Sequence, residues 1–280
     1  MIYPKLLSIG VFFLILGSLM SVSCNQRNNL AGKDKINPIE SSIDSLFNTA
    51  VKKQEIPGAV ALIKHKGGVL YHKAYGYSNI QAETEQQKDD LFRLASMTKG
   101  LTAAAILQLN ERELLELDDD IAKYIPEFNN LMILDTVHTD SSFSSHPATK
   151  KITIRQLLTH SSGIGYGFQN ENYNKLVVHH KVSEGFCSDT RSSMENTHKI
   201  AALPLLQEPG TSFIYSLSYD VLGTLIEVVS GIRYDKYIES NLLEPLEMDD
   251  SYFIIPAAER SRLVSVYEPS KEGDSLIQAT

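Results

Sequence analysis

Only one stretch of this chain reads as a pair of β-strands, and it constrains the fold more than any other feature. Residues 59–63 form a short apolar run, Gly67-Gly68 supplies a two-residue hairpin turn, and residues 69–75 form the returning strand. Two strands alone make a marginal structure in water, so something has to pair with them or cover them. A continuous apolar strand of this kind predicts a sheet covered on both faces. The rest of the chain offers few partners. Residues 253–255, Phe-Ile-Ile, are one candidate strand, and a short one.

Most of the remaining pattern is helical. Asn37-Pro38 marks a helix start, with Asn as cap and Pro in the first turn. Ile39, Ile43, Leu46, Phe47, Ala50 and Val51 then recur at helical spacing until Pro57-Gly58. Residues 96–112 read as a helix with little polar face, which predicts burial all round. Asp118-Asp119-Asp120 opens a short helix toward Tyr124. Acidic residues favour a helix N-terminus, and that reading outweighs a metal site. Residues 135–151 are polar and read as a surface excursion. Residues 152–158 begin a helix that Ser161-Ser162-Gly163 stops, residues 219–230 form one closed by Gly231, and residues 234–243 form another. Residues 169–200 carry no clear period.

Composition excludes several classes. Hydrophobic residues make up 42% and charged residues 21%, which suits a globular protein and rules out a collagen or wholly disordered chain. The net charge of −8 leaves no basic excess for binding nucleic acid. Two cysteines cannot make a disulfide scaffold. At the N-terminus, Lys5 is the only charge in residues 1–23, and residues 6–20 are almost entirely apolar. That run is about 22 Å long as a helix, short of a ~30 Å hydrocarbon core, and describes a signal peptide over residues 1–23. Ser21-Val22-Ser23-Cys24 resembles a lipobox, which makes Cys24 a candidate lipid-anchor site. Ordinary cleavage and an uncleaved anchor are the alternatives. The polar residues 24–36 would then form a tether to the membrane, and the protein would be exported to the cell envelope.

Ser96-Met97-Thr98-Lys99 is the only Ser-x-x-Lys pair in the chain. A serine hydroxyl needs a base beside it to act as a nucleophile. On a helix, residues i and i+3 share a face, so Lys99 can reach Ser96. Spacing alone does not separate this from a capping serine and a surface lysine.

Four segments in order carry a stronger signal. Phe92-Arg93-Leu94-Ala95-Ser96-Met97-Thr98-Lys99, then Leu115-Glu116-Leu117-Asp118-Asp119 with Tyr124-Ile125-Pro126-Glu127-Phe128, then Leu157-Leu158-Thr159-His160-Ser161-Ser162-Gly163, and finally Tyr215-Ser216 with Asp220-Val221-Leu222-Gly223 resemble the serine β-lactamase-related family. That family includes class C β-lactamases, D-alanyl-D-alanine peptidases, esterases and acyltransferases, and the resemblance covers roughly residues 38–270. It implies an α/β (α+β) fold of β-lactamase/transpeptidase type, with a helical region packed on an antiparallel sheet and the site at their junction. It also implies that Ser96 is the acylated nucleophile, Lys99 its base partner, and Tyr215 the phenol that shuttles the proton. His160 is a structural residue in this pattern. No cofactor or metal is implied; His179-His180 lacks the flanking ligands of a metal motif, and Cys187 is an isolated thiol.

Two departures shape the expectation. The β-lactamase form of the second motif is Tyr-x-Asn, and the third residue here is Leu217, so the amide donor is missing. This favours the esterase and acyltransferase branch acting on small-molecule esters or amides. A D-alanyl-D-alanine peptidase or weak β-lactamase is the alternative within enzymes, and a non-catalytic ligand-binding envelope lipoprotein is the alternative outside them. The family's third motif, Lys-Thr-Gly, His-Thr-Gly or Trp-Gly-Gly, occurs nowhere in the 280 residues. Losing one of two oxyanion donors costs about 10²–10³ in rate. The chain is therefore expected to be the first two-thirds of a hydrolase domain, spanning 37–280, with an incomplete sheet, exposed strand edges and weak or no activity.

Overall fold

The computed structural model describes residues 30–138, 142–185, 192–273 and 275–279, with side chains from residue 38 onward. The export segment, Cys24 and Cys187 lie outside the described residues. The chain divides into two compact units, one comprising the chain up to Asp90 with the stretch from Arg262 onward, the other Leu91–Ser261.

In the first unit, helix α1 runs Leu30–Lys52, so Pro38 lies inside it and not in its first turn. The tether expected over 24–36 is thus helical from Leu30. Leu, Ala and Lys in this stretch are good helix formers, and a polar composition by itself does not prevent a helix. Strands β1 (Gly58–His65) and β2 (Gly68–Asn79) form the expected hairpin, and β3 (Thr84–Glu85) pairs with β2, giving the order β1-β2-β3. The turn residues are Lys66 and Gly67, one position earlier than Gly67-Gly68, because His65 pairs with Gly68. Both turn residues have positive φ, 48° and 79°, as a hairpin turn matching the strand twist requires. Where β1 begins and β2 nears its end, Gly58 faces Gly76, and a Cβ on Gly58 would sit 2.6 Å from the Tyr77 carbonyl oxygen.

Helix α1 covers only part of this sheet. Phe47 stacks on Tyr75 at 5.0 Å, and the Asp44 carboxylate accepts from the Tyr71 hydroxyl at 2.6 Å and pairs with Lys73 at 2.7 Å. Toward the turn, Leu62, Ile63, Val69 and Leu70 are exposed. The expected coverage of both faces is therefore not found, since α1 engages β2 at Tyr71, Lys73 and Tyr75 and leaves the turn end open.

The second unit is mostly helical: α2 (Thr98–Glu111), strands β4 (Met132–Val137) and β5 (Phe143–Pro147), α3 (Ile154–Leu158), α4 (Glu171–His179), α5 (Ser193–Ala201), α6 (Ser218–Ser230) and α7 (Tyr234–Ile238). The polar excursion is an antiparallel hairpin, β4 with β5, in which Ile133 is buried while Asp135 and Thr136 are exposed. The unassigned stretch 169–200 contains α4 and α5, each capped by the side chain preceding it, Asn170 and Ser192. Helix α6 is the centre of the unit. Val221, Leu222, Leu225 and Ile226 are fully buried, and the helix contacts α2, α3, α5 and α7. It ends as its sequence predicts, with Gly231 in the left-handed region at φ 71°. Helix α2 buries only one face, Thr102, Ala105, Ile106 and Leu109, while Leu107 is exposed. A run of alanines left its polar face hard to read.

The acidic triplet is structural. Asp118 pairs with Arg155, Asp119 with Lys123, and the Asp120 side chain accepts from the Ala122 N–H at a short 3₁₀ turn. Residues 253–255 form bends in place of a strand. The chain then returns to the first unit with β6 (Tyr267–Pro269) and β7 (Leu276–Gln278), paired antiparallel. This segment meets the end of β2, where Ser265 N–H donates to the Ser78 carbonyl at 2.9 Å and Ile80 N–H to the Tyr267 hydroxyl at 2.8 Å. No helix of the described residues is long and apolar enough to cross a membrane.

Candidate active site

Ser96 lies in a 3₁₀ turn, Ala95–Met97, directly before α2. Ala95 holds φ at 45°, a costly conformation for a residue with a Cβ, and it turns Ser96 out at the helix start. Ser96 is exposed, while Lys99 and Tyr215 are half-buried. One helical turn along, Lys99 Nζ donates to Ser96 Oγ at 3.2 Å. From the segment before α6, Tyr215 OH donates to the same oxygen at 2.6 Å. The three residues singled out by sequence are thus brought together, Tyr215 from 119 positions away.

Tyr215 is held on every side. Lys99 Nζ lies 4.9 Å from its ring centroid, Tyr166 stacks on it at 5.6 Å, and His160 tilts against it at 4.7 Å. Gln169 donates to its backbone carbonyl at 2.8 Å. Burial pushes the phenol up, but hydrogen bonding with Lys99 and Ser96 and the positive charge of Lys99 outweigh it. The group sits below the ordinary tyrosine range.

His160 works from behind. Its Nδ1 accepts from the Ser216 N–H at 3.2 Å and meets Ser216 Oγ at 3.0 Å. Ser216 Oγ donates to Ser218 Oγ at 2.7 Å, and Ser218 meets Ser162 at 2.8 Å. All three serines are fully buried. This chain of hydroxyls ties the Thr-His-Ser-Ser-Gly segment to the segment carrying Tyr215. Burial, then the nearby Lys99 charge, pushes His160 down to about 4, so the ring is neutral at pH 7.

Leu217 is 1% exposed and belongs to the hydrophobic core. The position expected to face substrate therefore packs into the core, at the residue immediately preceding α6.

Sequence reasoning passed over Asp220 except as part of a motif. It lies on α6 and lines a cavity of about 270 Å³ together with Ala95, Thr98, Lys99, Tyr219 and Tyr234. Burial pushes its carboxyl up to about 6, against the pull of the Lys99 charge. The available signal was a carboxylate in the first turn of a helix whose next six residues are almost all apolar. His179 and His180 lie edge to face at 5.4 Å, and no group of three metal-ligating side chains occurs among the described residues.

The chain is similar in sequence and in fold to several known proteins. Esterase EstB of Burkholderia gladioli is 32% identical over 222 residues, covering 79% of this chain and 53% of EstB. Acyltransferase mokF of Monascus pilosus is 29% identical over 219 residues, covering 75% of this chain and 51% of mokF. The chain thus spans about half the length of these curated relatives. Among solved structures, EstCE1, described as a hydrolase with promiscuous acyltransferase activity, superposes with a TM-score of 0.71 at 24% identity. It covers 90% of this chain and 60% of that one, a likeness of fold, β-lactamase/transpeptidase-like with mixed helices and antiparallel sheets. The family model described as Beta-lactamase matches residues 43–278, and the chain belongs to that family.

Proposed function

We propose that this chain is a serine hydrolase that forms an acyl-enzyme on Ser96 and acts on small-molecule esters, passing the acyl group to water or an alcohol. The observation that carries this reading is the convergence of Lys99 Nζ and Tyr215 OH on Ser96 Oγ. Two donors on one hydroxyl oxygen can reverse roles once the phenol is deprotonated. Tyr215 as phenolate, sustained by the Lys99 ammonium, accepts the Ser96 proton while Oγ bonds to the ester carbonyl carbon and the carbonyl electron pair moves onto oxygen. Tyr215 then returns that proton to the departing alkoxide. In the second half the phenolate takes a proton from water or an alcohol as its oxygen attacks the acyl carbon; the acyl–Oγ bond then breaks and Tyr215 returns that proton to Ser96 Oγ. The Ser96 backbone N–H at the start of α2 is the donor available to the developing oxyanion.

An ester is favoured over a β-lactam because residue 217 is Leu and packs in the core, so the position that carries Asn in the β-lactamase form presents no amide to a substrate side chain. EstB and mokF, named as an esterase and an acyltransferase, support the same branch. The export and Cys24 lipidation read from the N-terminus belong to this proposal and rest on the sequence alone.

A fluorophosphonate probe read by intact mass tests the reading. One adduct is expected on the wild-type chain, located on Ser96 by peptide mapping, and none on Ser96→Ala. Tyr215→Phe should slow labelling by about 10²–10³. An adduct that survives Ser96→Ala, or no adduct on wild type, refutes it.

A further inference from the structure

We propose that Asp220 is a positioning residue of this site, a fixed negative charge across the cavity from Lys99 that holds the ammonium between Ser96 and Tyr215. The inference rests on the acyl-enzyme reading above and adds a residue to it.

The geometry comes first. Lys99 and Asp220 line the same cavity of about 270 Å³, Lys99 from the first turn of α2 and Asp220 from the first turn of α6. Those helices pack directly against each other. Several other polar groups of that cavity are engaged elsewhere. Thr102 hydrogen-bonds Tyr234 at 2.6 Å, and Asn196 both donates to and accepts from the Ser183 backbone. Among the described residues no donor side chain bonds the Asp220 carboxylate. Asp220 is half-buried and its carboxylate also accepts from its own backbone N–H; a carboxylate partly removed from water is further stabilised where a cation faces it. Lys99 is the cation that does so here, through space, while its own hydrogen bond goes to Ser96.

The groups facing Asp220 are few. Lys99 lowers its proton affinity and Glu184 raises it, and Asp220 in turn raises Tyr166, Tyr215 and Tyr234. The carboxylate therefore opposes the effect of Lys99 on Tyr215. With Asp220 ionised, the phenolate is a stronger base, and Lys99 keeps a counter-charge on the side away from Ser96. Once Asp220 is protonated, near pH 6, both effects are lost.

Two measurements on the full chain test this. The first is the rate of Ser96 acylation by p-nitrophenyl acetate, followed by mass from pH 5 to 8. Wild type should lose rate as pH falls through about 6. Asp220→Asn should be slower by about tenfold at pH 7.5 and lack that limb, and Asp220→Glu should retain it. The second needs no turnover: titration of the Tyr215 ring by NMR of ¹³Cζ-tyrosine, assigned with Tyr215→Phe. Asp220→Asn should move its midpoint downward. If wild type acylates and Asp220→Asn keeps both the rate and the limb, the positioning role fails and the acyl-enzyme reading stands. If wild type forms no acyl-enzyme but the Tyr215 midpoint moves, the acyl-enzyme reading fails and the charge coupling stands. An unmoved midpoint overturns the coupling.

Discussion

Three aromatic rings close on His160, those of Phe213, Tyr215 and Tyr219, at centroid distances of 5.7, 4.7 and 5.0 Å. The imidazole is thus enclosed where it must stay neutral, and this has a cost in acid. His160 titrates near 4 in the folded chain against 6.5 in an unfolded one. Between those values the unfolded chain binds a proton that the folded chain excludes, so this group removes stability as pH falls from about 6.5 to 4, by about 3 kcal/mol in total. Asp220 acts with the opposite sign. Its folded value near 6 lies above 3.8, so the folded chain binds the proton first and gains stability as pH falls through the same range. Denaturant unfolding at pH 7 and pH 4.5 should therefore show His160→Gln losing less stability than wild type over this interval, and Asp220→Asn losing more. Equal losses in all three proteins would contradict the assignment. The sequence named Ser96, Lys99, Tyr215 and a structural His160. It gave no hint that His160 is linked to three buried serines, because none of those serines stands out in the sequence until the two segments meet.

At the scale of elements, local chemistry was most legible where it is self-contained. The Gly231 stop of α6 depends on one residue's freedom at positive φ, and it is where the sequence put it. The start of α3 is similarly local. Thr153 accepts from the Gln156 N–H while the Gln156 side chain accepts from the Thr153 N–H, a reciprocal capping box. Thr153→Ala should lower stability by about 1 kcal/mol, read as a shifted urea midpoint at constant m. A midpoint unchanged within error would mean that tertiary contacts, not the cap, hold α3. Elements whose identity depends on neighbours were harder. The strand β4 lies in a polar stretch and is held from outside as well as by its hairpin, since Leu134 N–H donates to the Leu205 carbonyl at 2.8 Å and Leu205 N–H to the Met132 carbonyl at 2.7 Å. No local pattern announces a partner seventy residues away.

For the molecule as a whole, the uncovered end of the first hairpin is the feature with physical consequences. Leu62 is 52% exposed on β1, an edge strand, beside exposed Ile63. An apolar edge of this kind is a template for pairing with another chain. Leu62→Lys should reduce self-association in light scattering while changing monomer stability by less than about 0.5 kcal/mol, as surface substitutions do. Unchanged association would place the sticky surface elsewhere. The sequence by itself determined the hairpin, the strong helix stops, the acidic balance, and the order of segments that carries the family resemblance. Each of these depends on local backbone freedom, on net charge or on residue order, which are properties of the chain before it folds. Tertiary structure alone decided that Leu217 faces the core, that Asp220 shares a cavity with Lys99, and that Tyr215 reaches Ser96 with its proton affinity lowered. Those facts depend on which segments come within a few ångströms of one another and on how much water they exclude, and no one-dimensional spacing encodes either.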